Sequence, residues 1–264
     1  MKKFFVIGNP IDHSLSPQLH NYWLKKNQIN AFYDKKKLTD EDLKNFFLKI
    51  KKNEISGANV TVPFKQKVIS YIDELSVEAE KTQSVNTIYL KNNKIIGHNT
   101  DIGGFKLAIR NANYNVEKKK IFILGSGGVV PSIIYALINM KALNITLSNR
   151  TKVKAENLKN LFRNLKVVDW GEIPNFDMII NATSIGLEKS QKLNLDFSKI
   201  GSGKFFYDVI YNPKETNFLE IGKNLGNETE NGKNMFIFQA AQSFKIWHGI
   251  QPEIDLEVNE LLDK

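Results

Sequence analysis

The stretch Ile121-Phe-Ile-Leu-Gly-Ser-Gly-Gly128 decides the fold of this 264-residue chain. Its first four residues form a continuous apolar run, which is typical of a parallel β-strand buried on both faces. The glycines follow this strand and precede a helix that extends to about Met140. A glycine-rich turn placed in this way lets the backbone approach a pyrophosphate, to which the helix N-terminus presents partial positive charge. A turn that serves only the path of the chain is the alternative, because Val130 stands where a third glycine would allow close helix packing.

Strands and helices alternate on both sides of this stretch. Downstream, the pattern predicts a βαβ series with strand Asn144–Ser148, helix Lys152–Phe162, strand Met178–Ile180 and strand Phe205–Val209. Upstream, it predicts strand Phe4–Gly8, a helix opening at Ser16-Pro17, a strand from Phe32, a helix capped by Thr39–Asp42, helices near Gln66–Ile72 and Val77–Thr82, and a hairpin of Asn86–Leu90 with Lys94–Gly97. Two apolar helical segments, Met235–Trp247 and Ile254–Leu262, end the chain. The fold class is therefore α/β, with two successive α/β units.

Composition narrows the class of protein. A hydrophobic content of 42% without a run of 18 apolar residues indicates a globular protein that does not span a membrane. The absence of cysteine fits a reducing cytoplasm, and the four scattered histidines lack the spacing of metal ligands, so we expect no metal site. The net charge of +9 comes from lysines spread along the chain and carries no nucleic-acid-binding motif, so we expect no nucleic-acid partner.

Another informative stretch is Ser56-Gly-Ala-Asn-Val-Thr-Val-Pro-Phe-Lys-Gln66. The alternating apolar residues of Ala58–Val62 predict a short strand that ends at the proline. Asn59 and Thr61 then point to the opposite face, and Lys65 follows at the carboxyl end of the strand, where ligands gather in α/β sheets. From its position alone, Lys65 is either a proton donor or a solvated surface charge.

The end of strand Asn144–Ser148 bears on the choice of cofactor. A site for NAD places an acidic residue here to bind the ribose 2'-hydroxyl, whereas this chain has Asn149, Arg150 and Thr151, with Lys154 one helical turn further. The planar guanidinium of Arg150 can bind a phosphate with two hydrogen bonds and stack on adenine. The sequence therefore favours NADP over NAD.

Further polar residues have both functional and structural interpretations. Ser14 and Ser16 lie after the first predicted strand, although Ser16 alone could cap the following helix. Asn86 and Asp101 flank the predicted hairpin, and Asp101 could cap the next helix. Gln239 lies on an apolar helix, so it is either satisfied internally or faces a ligand. Taken one by one, the histidines are expected to be structural or exposed: His13, His20, His98 and His248.

Together these motifs resemble the shikimate dehydrogenase family over nearly the whole chain and in the same order. The matching pieces are Ile11–Pro17, Asn59–Lys65, Val85–Thr87, Asn99–Asp101, Gly125–Gly128, Asn149–Thr151, Asn181–Ser184, Tyr207–Asp208 with Tyr211, and Gln239–Ala241. The resemblance implies two α/β domains around a cleft, the second a Rossmann-type doubly wound parallel sheet. The apolar neighbours of Gln239 need a core, and the βαβ series already has helices of its own to cover its sheet. We therefore expect residues 1–101 plus 236–264 to form a discontinuous substrate-binding domain and residues 102–235 to form an NADP-binding domain.

The resemblance also implies an activity, namely the reversible NADPH-dependent reduction of 3-dehydroshikimate to shikimate on the route to chorismate and the aromatic amino acids. Lys65 and Asp101 would form the catalytic pair. The residues implied to bind substrate are Ser14, Ser16, Thr61, Asn86, Tyr211 and Gln239. Those implied to bind NADP are Gly125, Ser126, Gly127, Gly128, Val129, Asn149, Arg150, Thr151, Lys154, Thr183, Val209 and Gly232. The implied partners are small molecules only, and the implied assembly is a monomer or homodimer.

Two departures from the family pattern concern the cofactor. Val130-Pro131 replaces a basic residue at the start of the cofactor helix, and Lys154 stands where an arginine is common. The alternatives are a quinate/shikimate dehydrogenase of broader cofactor use and a non-catalytic member of the family. The paired serines and the basic turn at Arg150 favour the NADP-dependent shikimate form, and the intact Lys65 and Asp101 argue against a non-catalytic protein.

Overall fold

The chain forms two compact units in a computed structural model that describes residues 1–188 and 190–263. The first unit comprises Met1–Gly104 and the chain from Ile237 onward, and the second comprises Phe105–Phe236. The pattern of the sequence predicted these boundaries after residues 101 and 235. The first unit is thus built from two separate segments of the chain, and the second from one.

The first unit contains a six-stranded mixed sheet. Its strands are β1 (Lys2–Gly8), β2 (Ala31–Lys37), β3 (Gly57–Val60), β4 (Glu74–Leu75), β5 (Thr87–Lys91) and β6 (Lys94–His98), in the order β2-β1-β3-β5-β6-β4. Strand β1 runs parallel to both β2 and β3, whereas β5 and β6 form an antiparallel hairpin beside β3. The hairpin aligns Asn59 with Thr87 and Thr87 with His98, so it brings the polar ends of three strands side by side.

Helices cover this sheet. They are α1 (Ser16–Lys26), α2 (Asp40–Lys51), a 3-10 helix over Lys67–Tyr71, α3 (Val77–Thr82) and α4 (Asp101–Asn111), which crosses the unit boundary. Helix α2 begins with the predicted capping box of Thr39 and Asp42. Its apolar face, Leu43, Phe46, Phe47 and Ile50, is buried in the core with the residues of β3. The helix predicted near Gln66–Ile72 is therefore a 3-10 helix, and the other helices of this unit lie where the sequence placed them.

Strand β3 is shorter than predicted. It ends at Val60, and Val62 is 55% exposed instead of continuing the apolar face. The chain turns at this point, because the Phe64 N–H donates to the carbonyl of Thr61 at 2.9 Å. This turn places Lys65 directly beyond the carboxyl end of the strand.

The second unit contains a six-stranded sheet whose neighbouring strands all run parallel. The strands are β7 (Lys120–Leu124), β8 (Asn144–Ser148), β9 (Lys166–Val168), β10 (Met178–Asn181), β11 (Phe205–Asp208) and β12 (Glu228–Glu230). Their order is β12-β11-β10-β7-β8-β9. The chain winds outward from β7 in one direction and then from β10 in the other, which is the doubly wound order of a Rossmann sheet. The topological switch point lies between β7 and β10, where ligands of such sheets bind.

The helices of the second unit are α5 (Val130–Asn139), α6 (Lys152–Asn157) with a 3-10 turn over Leu158–Asn160, and α7 (Asn217–Asn224). The single helix predicted for Lys152–Phe162 is thus an α-helix followed by a 3-10 turn. Helix α8 (Lys233–His248) begins in the second unit and continues in the first, and α9 (Leu256–Leu261) follows it. None of the helices in the described ranges is long and apolar enough to cross a membrane.

Candidate active site

Lys65 and Asp101 form a buried ion pair in the first unit. The Lys65 Nζ lies 2.6 Å from Asp101 Oδ2, and the two side chains are 10% and 7% exposed. Asp101 is the first residue of α4, and its backbone N–H donates to Asn99 Oδ1 at 3.1 Å. Asp101 therefore lies within the first turn of the helix and is not the cap that the sequence allowed. The Asp101 carboxylate is turned instead to the lysine.

Asn86 joins this pair to the neighbouring polar residues. Its amide Nδ2 donates to Asp101 Oδ1 at 2.9 Å, to Thr100 Oγ1 at 3.0 Å and, more weakly, to Gln239 Oε1 at 3.4 Å. Its Oδ1 accepts the backbone N–H of Thr100 at 2.7 Å. Lys65, Asp101, Asn86 and Gln239 were predicted from four separate motifs, and the structure brings them together in one cluster within the first unit.

A second layer of polar residues supports Asn86. The amide of Asn59 donates to the Asn86 carbonyl at 3.1 Å and to Thr87 Oγ1 at 3.2 Å, and the Tyr33 hydroxyl donates to Asn59 Oδ1 at 2.7 Å. Burial raises the pKa of Tyr33 well above its usual value, so its hydroxyl remains a donor. Sequence reasoning assigned no role to Thr87 or Tyr33. The sequence does contain a signal for Thr87, because an Asn-Thr dipeptide stands at each end of the β5–β6 hairpin.

The positions of Ser14 and Ser16 after β1 do not match the interpretation in which Ser16 caps the following helix. Leu15 occupies the N-cap position of α1, and Ser16 is its first helical residue. Ser14 lies one residue before the N-cap position, and its Oγ accepts the Ser16 N–H at 3.3 Å. The Ser16 side chain is buried and hydrogen-bonds Tyr33. Ser16 therefore does not cap the helix, and its hydroxyl belongs to the polar network of Tyr33.

The two remaining substrate-binding predictions lie in different units. Thr61 follows β3 in the first unit and packs against the end of β1, where a Cβ added at Gly8 would lie 2.5 Å from Thr61 Cγ2. Tyr211 belongs to the second unit, and its ring stacks on Phe236 with centroids 4.6 Å apart. Thr61 is thus placed in the same unit as Lys65, and Tyr211 is not.

The glycine-rich turn of the second unit lies at the switch point of the sheet. Gly125 has φ +105, and a Cβ there would lie 2.7 Å from the carbonyl oxygen of Ala182 and 3.1 Å from Thr183 Cγ2. At Gly127 a Cβ would meet only the Ala182 oxygen at 3.9 Å, so there is free space beside the Gly127 backbone. The turn continues through Ser126–Val129 into α5. One glycine permits the close approach of two strands, and another leaves room for a bulky group against the backbone, which fits a pyrophosphate.

Cationic side chains lie exposed beyond the end of β8. Arg150 and Lys154 are exposed, and Asn149 Nδ2 donates to the Thr151 carbonyl at 2.8 Å, which shapes the turn that carries Arg150. A doubly charged 2'-phosphate requires accessible cations of this type. The donors present at this edge therefore fit NADP.

Val209 and Gly232 meet beside the end of β11. A Cβ added at Gly232 would lie 2.1 Å from the Val209 carbonyl oxygen, and the Gly232 N–H donates to the Ile210 carbonyl at 3.0 Å. Only glycine fits this position. Within the described ranges, no group of three or more His, Asp or Glu side chains could hold a metal ion.

An open, doubly wound parallel sheet with a glycine turn at its switch point defines the class of nucleotide-dependent dehydrogenases. Comparison with known families is more specific. A family profile described as "Shikimate dehydrogenase substrate binding domain" matches residues 6–88, and one described as "Shikimate / quinate 5-dehydrogenase" matches residues 106–202. The chain belongs to the shikimate dehydrogenase family.

Individual relatives support this assignment over the full length. A shikimate dehydrogenase (NADP+) of Pelagibacter ubique is 56% identical over 99% of both chains. A shikimate dehydrogenase structure from Aquifex aeolicus is 35% identical with a TM-score of 0.91, covering 99% of this chain and 97% of that one. A shikimate dehydrogenase solved in complex with NADP+ is 33% identical with a TM-score of 0.93, covering 100% and 95%.

Proposed function

We propose that this protein catalyses the reversible NADPH-dependent reduction of 3-dehydroshikimate to shikimate, a step towards chorismate and the aromatic amino acids. The observation that carries the proposal is the buried contact of Lys65 with Asp101, joined through Asn86 to Gln239, in a chain of this family. The similarity to NADP-dependent shikimate dehydrogenases over the full chain supports both the substrate and the cofactor.

The catalytic roles fall to Lys65 and Asp101. Reduction of a carbonyl develops negative charge on its oxygen, which needs a proton and a nearby positive charge. The Lys65 ammonium supplies both. Asp101 orients that ammonium through its contact at 2.6 Å and accepts a hydrogen bond from a substrate hydroxyl. Asn86 fixes the other carboxylate oxygen of Asp101, so the pair keeps one orientation.

Substrate binding falls to the remaining polar residues. Ser14 and Ser16 bind the carboxylate of the substrate through their hydroxyls. The ring and its hydroxyls are bound by Thr61, Asn86, Tyr211 and Gln239. The network from Tyr33 through Asn59 to Thr87 supports Asn86 from behind and requires no contact with substrate of its own.

NADPH is held by the second unit and, when bound, supplies the hydride that reduces the substrate carbonyl. The glycine turn accommodates the pyrophosphate, and Asn149, Arg150, Thr151 and Lys154 bind the 2'-phosphate and adenosine. Thr183, Val209 and Gly232 line the end of the sheet that receives the rest of the cofactor. In this proposal residues 1–101 with 236–264 form the substrate domain and residues 102–235 the cofactor domain. The two compact units support this division.

The proposed setting is the cytoplasm, with small molecules as the only partners and a monomer or homodimer as the assembly. The experiment that tests the function is turnover of purified protein with shikimate and NADP+, followed by the absorbance of NADPH. Parallel reactions replace shikimate by quinate or NADP+ by NAD+. Turnover restricted to shikimate with NADP+ supports the proposal. Equal rates with quinate and NAD+ would favour a broader quinate/shikimate dehydrogenase, and no turnover in any pairing would contradict catalysis.

A further inference from the structure

A buried carboxylate, Asp208, lies at the carboxyl end of β11 and is fully inaccessible to solvent. It accepts hydrogen bonds from Asn181 Nδ2 at 3.1 Å to each carboxylate oxygen, from Thr216 Oγ1 at 2.6 Å and from the Ile210 N–H at 3.0 Å. These partners come from the end of β10, the N-cap of α7 and the turn after β11. The carboxylate thus connects three segments of the second unit.

Asp208 fixes the orientation of the Asn181 amide. It shares this role with the Ile185 carbonyl, which accepts from Asn181 Nδ2 at 3.1 Å. A carbonyl and an ionised carboxylate only accept hydrogen bonds, so the NH2 group of Asn181 faces both of them and the Asn181 Oδ1 faces the other way. That oxygen accepts both the N–H of Thr183 at 3.1 Å and its hydroxyl at 2.7 Å. Because the Thr183 hydroxyl donates to Asn181, its oxygen is free to accept the Ile185 N–H at 3.1 Å. The carboxylate therefore anchors the amide from which this chain of contacts begins, and the Ile185 carbonyl supports the same amide.

The segment ordered in this way, Asn181–Ile185, is the wall of the glycine turn. The carbonyl of Ala182 and the methyl group of Thr183 are the atoms that a Cβ at Gly125 would strike, at 2.7 and 3.1 Å. A different orientation of the Asn181 amide would present an NH2 group to the donors of Thr183 and push this segment away. The shape of the switch point therefore depends in part on a residue of the neighbouring strand.

Burying the ionised Asp208 carboxylate costs free energy of folding, which indicates that the residue has a function beyond packing. Burial raises the pKa of Asp208 to about 6, because removal from water disfavours the charged form more than the donors of Thr216, Ile210 and Asn181 favour it. A neutral side chain at this position would avoid that cost. Buried ionised groups with strong partners are concentrated at functional sites.

We propose that Asp208 is a positioning residue for the cofactor: by fixing the Asn181 amide it holds Ala182 and Thr183 against the glycine turn in the shape that binds NADP. This inference rests on the proposed function only in that NADP is the ligand of the second unit. Asp208 makes no contact with NADP in this arrangement and acts through Asn181. Neither the shikimate-binding residues nor Lys65 are involved.

The first test is Asp208→Asn, which is nearly isosteric and replaces an acceptor-only group by an amide whose NH2 opposes that of Asn181. We expect the dissociation constant of NADP, measured by calorimetric titration, to rise about tenfold, and the KM for NADP with it. The KM for shikimate and the kcat at saturating NADP should stay within about twofold. The matched control is Asp196→Asn, an exposed carboxylate of the same unit that accepts the Ser198 N–H, and it should leave all these constants unchanged.

The second test is the double variant Asn181→Ala/Asp208→Asn, compared with each single variant. If Asp208 acts through the Asn181 amide, its substitution has nothing further to disturb once that amide is absent. We expect Asp208→Asn to weaken NADP binding by less than about twofold in the Asn181→Ala background, whereas independent losses of packing would add. A further loss of about tenfold in the double variant would overturn the positioning role.

Other outcomes are equally decisive. Unchanged NADP affinity in Asp208→Asn contradicts the proposal, as does an equal rise in the KM values of NADP and shikimate. If neither variant folds, Thr216→Val withdraws one donor from the carboxylate. It must weaken NADP binding without changing the KM for shikimate, and no such change would reject the role. Calorimetry needs no turnover, so a protein that binds NADP but does not oxidise shikimate would refute the proposed function and leave this test intact.

Discussion

The buried Lys65 side chain lies against the carboxylate of Asp101. Two opposite charges taken out of water stabilise each other, and removal of one leaves the other buried without compensation, at a cost of about 3 to 5 kcal/mol. The same contact that orients the ammonium for catalysis is therefore part of the stability of the first unit. A substitution in this pair must be assessed for both effects.

We expect Lys65→Ala and Asp101→Ala each to lower kcat by about 100-fold or more, because each removes part of the proton-transfer pair. Both variants should melt at a lower temperature and still fold, which circular dichroism checks. The matched control is Lys67→Ala, since Lys67 is an exposed lysine whose Nζ lies 2.6 Å from Asp40. It should keep kcat within about twofold. Near-normal turnover in folded Lys65→Ala and Asp101→Ala proteins would refute the catalytic assignment.

The preference for NADP over NAD is also expected to depend on a single residue, Arg150. We expect the unsubstituted protein to prefer NADP, and Arg150→Ala to raise the KM for NADP about tenfold while the KM for NAD changes little, because the guanidinium binds only the additional phosphate. Arg163→Ala, an exposed arginine of the same unit, is the control and should alter neither value. Equal use of both cofactors by the unsubstituted protein would contradict this prediction.

At this scale the sequence predicted the chemistry and missed part of its support. Lys65, Asp101 and Gln239 could be singled out because each is a polar residue at a strand end, a hairpin end or on an apolar helix. The roles of Thr87 and Asn181 could not be found in this way. Their function lies in which neighbour each amide or hydroxyl faces, and those neighbours come from strands distant in sequence. The helix-cap interpretation of Ser16 was wrong for a related reason, because Ser16 is the first helical residue of α1 and its side chain hydrogen-bonds Tyr33.

Among the elements, those with strong periodicity were predicted and the short edge elements were not. The apolar run Ile121–Leu124 predicts β7, and the periodic apolar residues of α2 predict that helix. Strands β4, β9 and β12 contain only two or three residues and pair along one edge, so their conformation comes from the neighbouring strand and not from their own residues. Val62 lies outside β3 because the chain turns between Thr61 and Phe64, although the Val62 carbonyl still accepts the Asn9 N–H at 2.9 Å.

Two glycines of the turn after β7 are expected to have different roles, one in the stability of the second unit and one in NADP binding. Gly125→Ala should destabilise the second unit by about 1 to 3 kcal/mol, because it adds a Cβ at φ +105 only 2.7 Å from the Ala182 oxygen. Gly127→Ala meets no atom closer than 3.9 Å, so it should leave the melting temperature nearly unchanged and instead weaken NADP binding by occupying the open backbone. Thermal melting and calorimetric titration of both variants test this. Equal thermal effects, or unchanged NADP affinity in Gly127→Ala, would argue against the assignment.

Helices α1 and α8 pack around a buried histidine that makes the fold sensitive to acid. His20 stacks on Tyr33 with centroids 4.2 Å apart and lies among the rings of Trp23, Phe244 and Trp247. Neither of its ring nitrogens has a hydrogen-bond partner among residues 1–188 and 190–263. Burial, and then repulsion from His248, lower its pKa to about 3.

The sign of the pH effect follows from this depressed pKa. The unfolded chain takes up a proton at His20 below pH about 6.5, whereas the folded chain does so only near 3, so stability is lost as pH falls through this window. We expect His20→Phe to reduce the loss of unfolding free energy between pH 7.5 and 5 by about 2 kcal/mol, measured by urea titration. His13→Phe, at an exposed position, should leave this pH-dependent loss of unfolding free energy unchanged. His248 has its pKa lowered to about 4 by burial and by Lys2, and its own acid sensitivity should persist in the variant. An unchanged pH dependence in His20→Phe would contradict this account.

For the molecule as a whole, the order of elements in the chain differs from their order in space. The alternating pattern indicated two α/β units, and the apolar neighbours of Gln239 on α8, which need a core, suggested that the C-terminal segment belongs with the first. The structure supplies the packing that sequence could not. The ring of Trp247 lies 4.9 Å from that of Phe4, its Nε1 donates to the Ile88 carbonyl at 3.1 Å, and Phe244 contacts the ring of Trp23.

This arrangement predicts that the two units differ in their ability to fold alone. A fragment of residues 105–236 contains the complete parallel sheet with α5, α6 and α7, so it should unfold cooperatively and keep its near-ultraviolet circular dichroism. A fragment of residues 1–104 lacks α8 and exposes the apolar surface on Phe4 and Trp23, so it should lack fixed tertiary structure until a peptide of residues 237–264 is added. The control is the same peptide with Trp247→Ser and Phe244→Ser, which removes both buried rings and should not restore the signal. If fragment 1–104 showed a cooperative melt without the peptide, the C-terminal helices would not be part of its core.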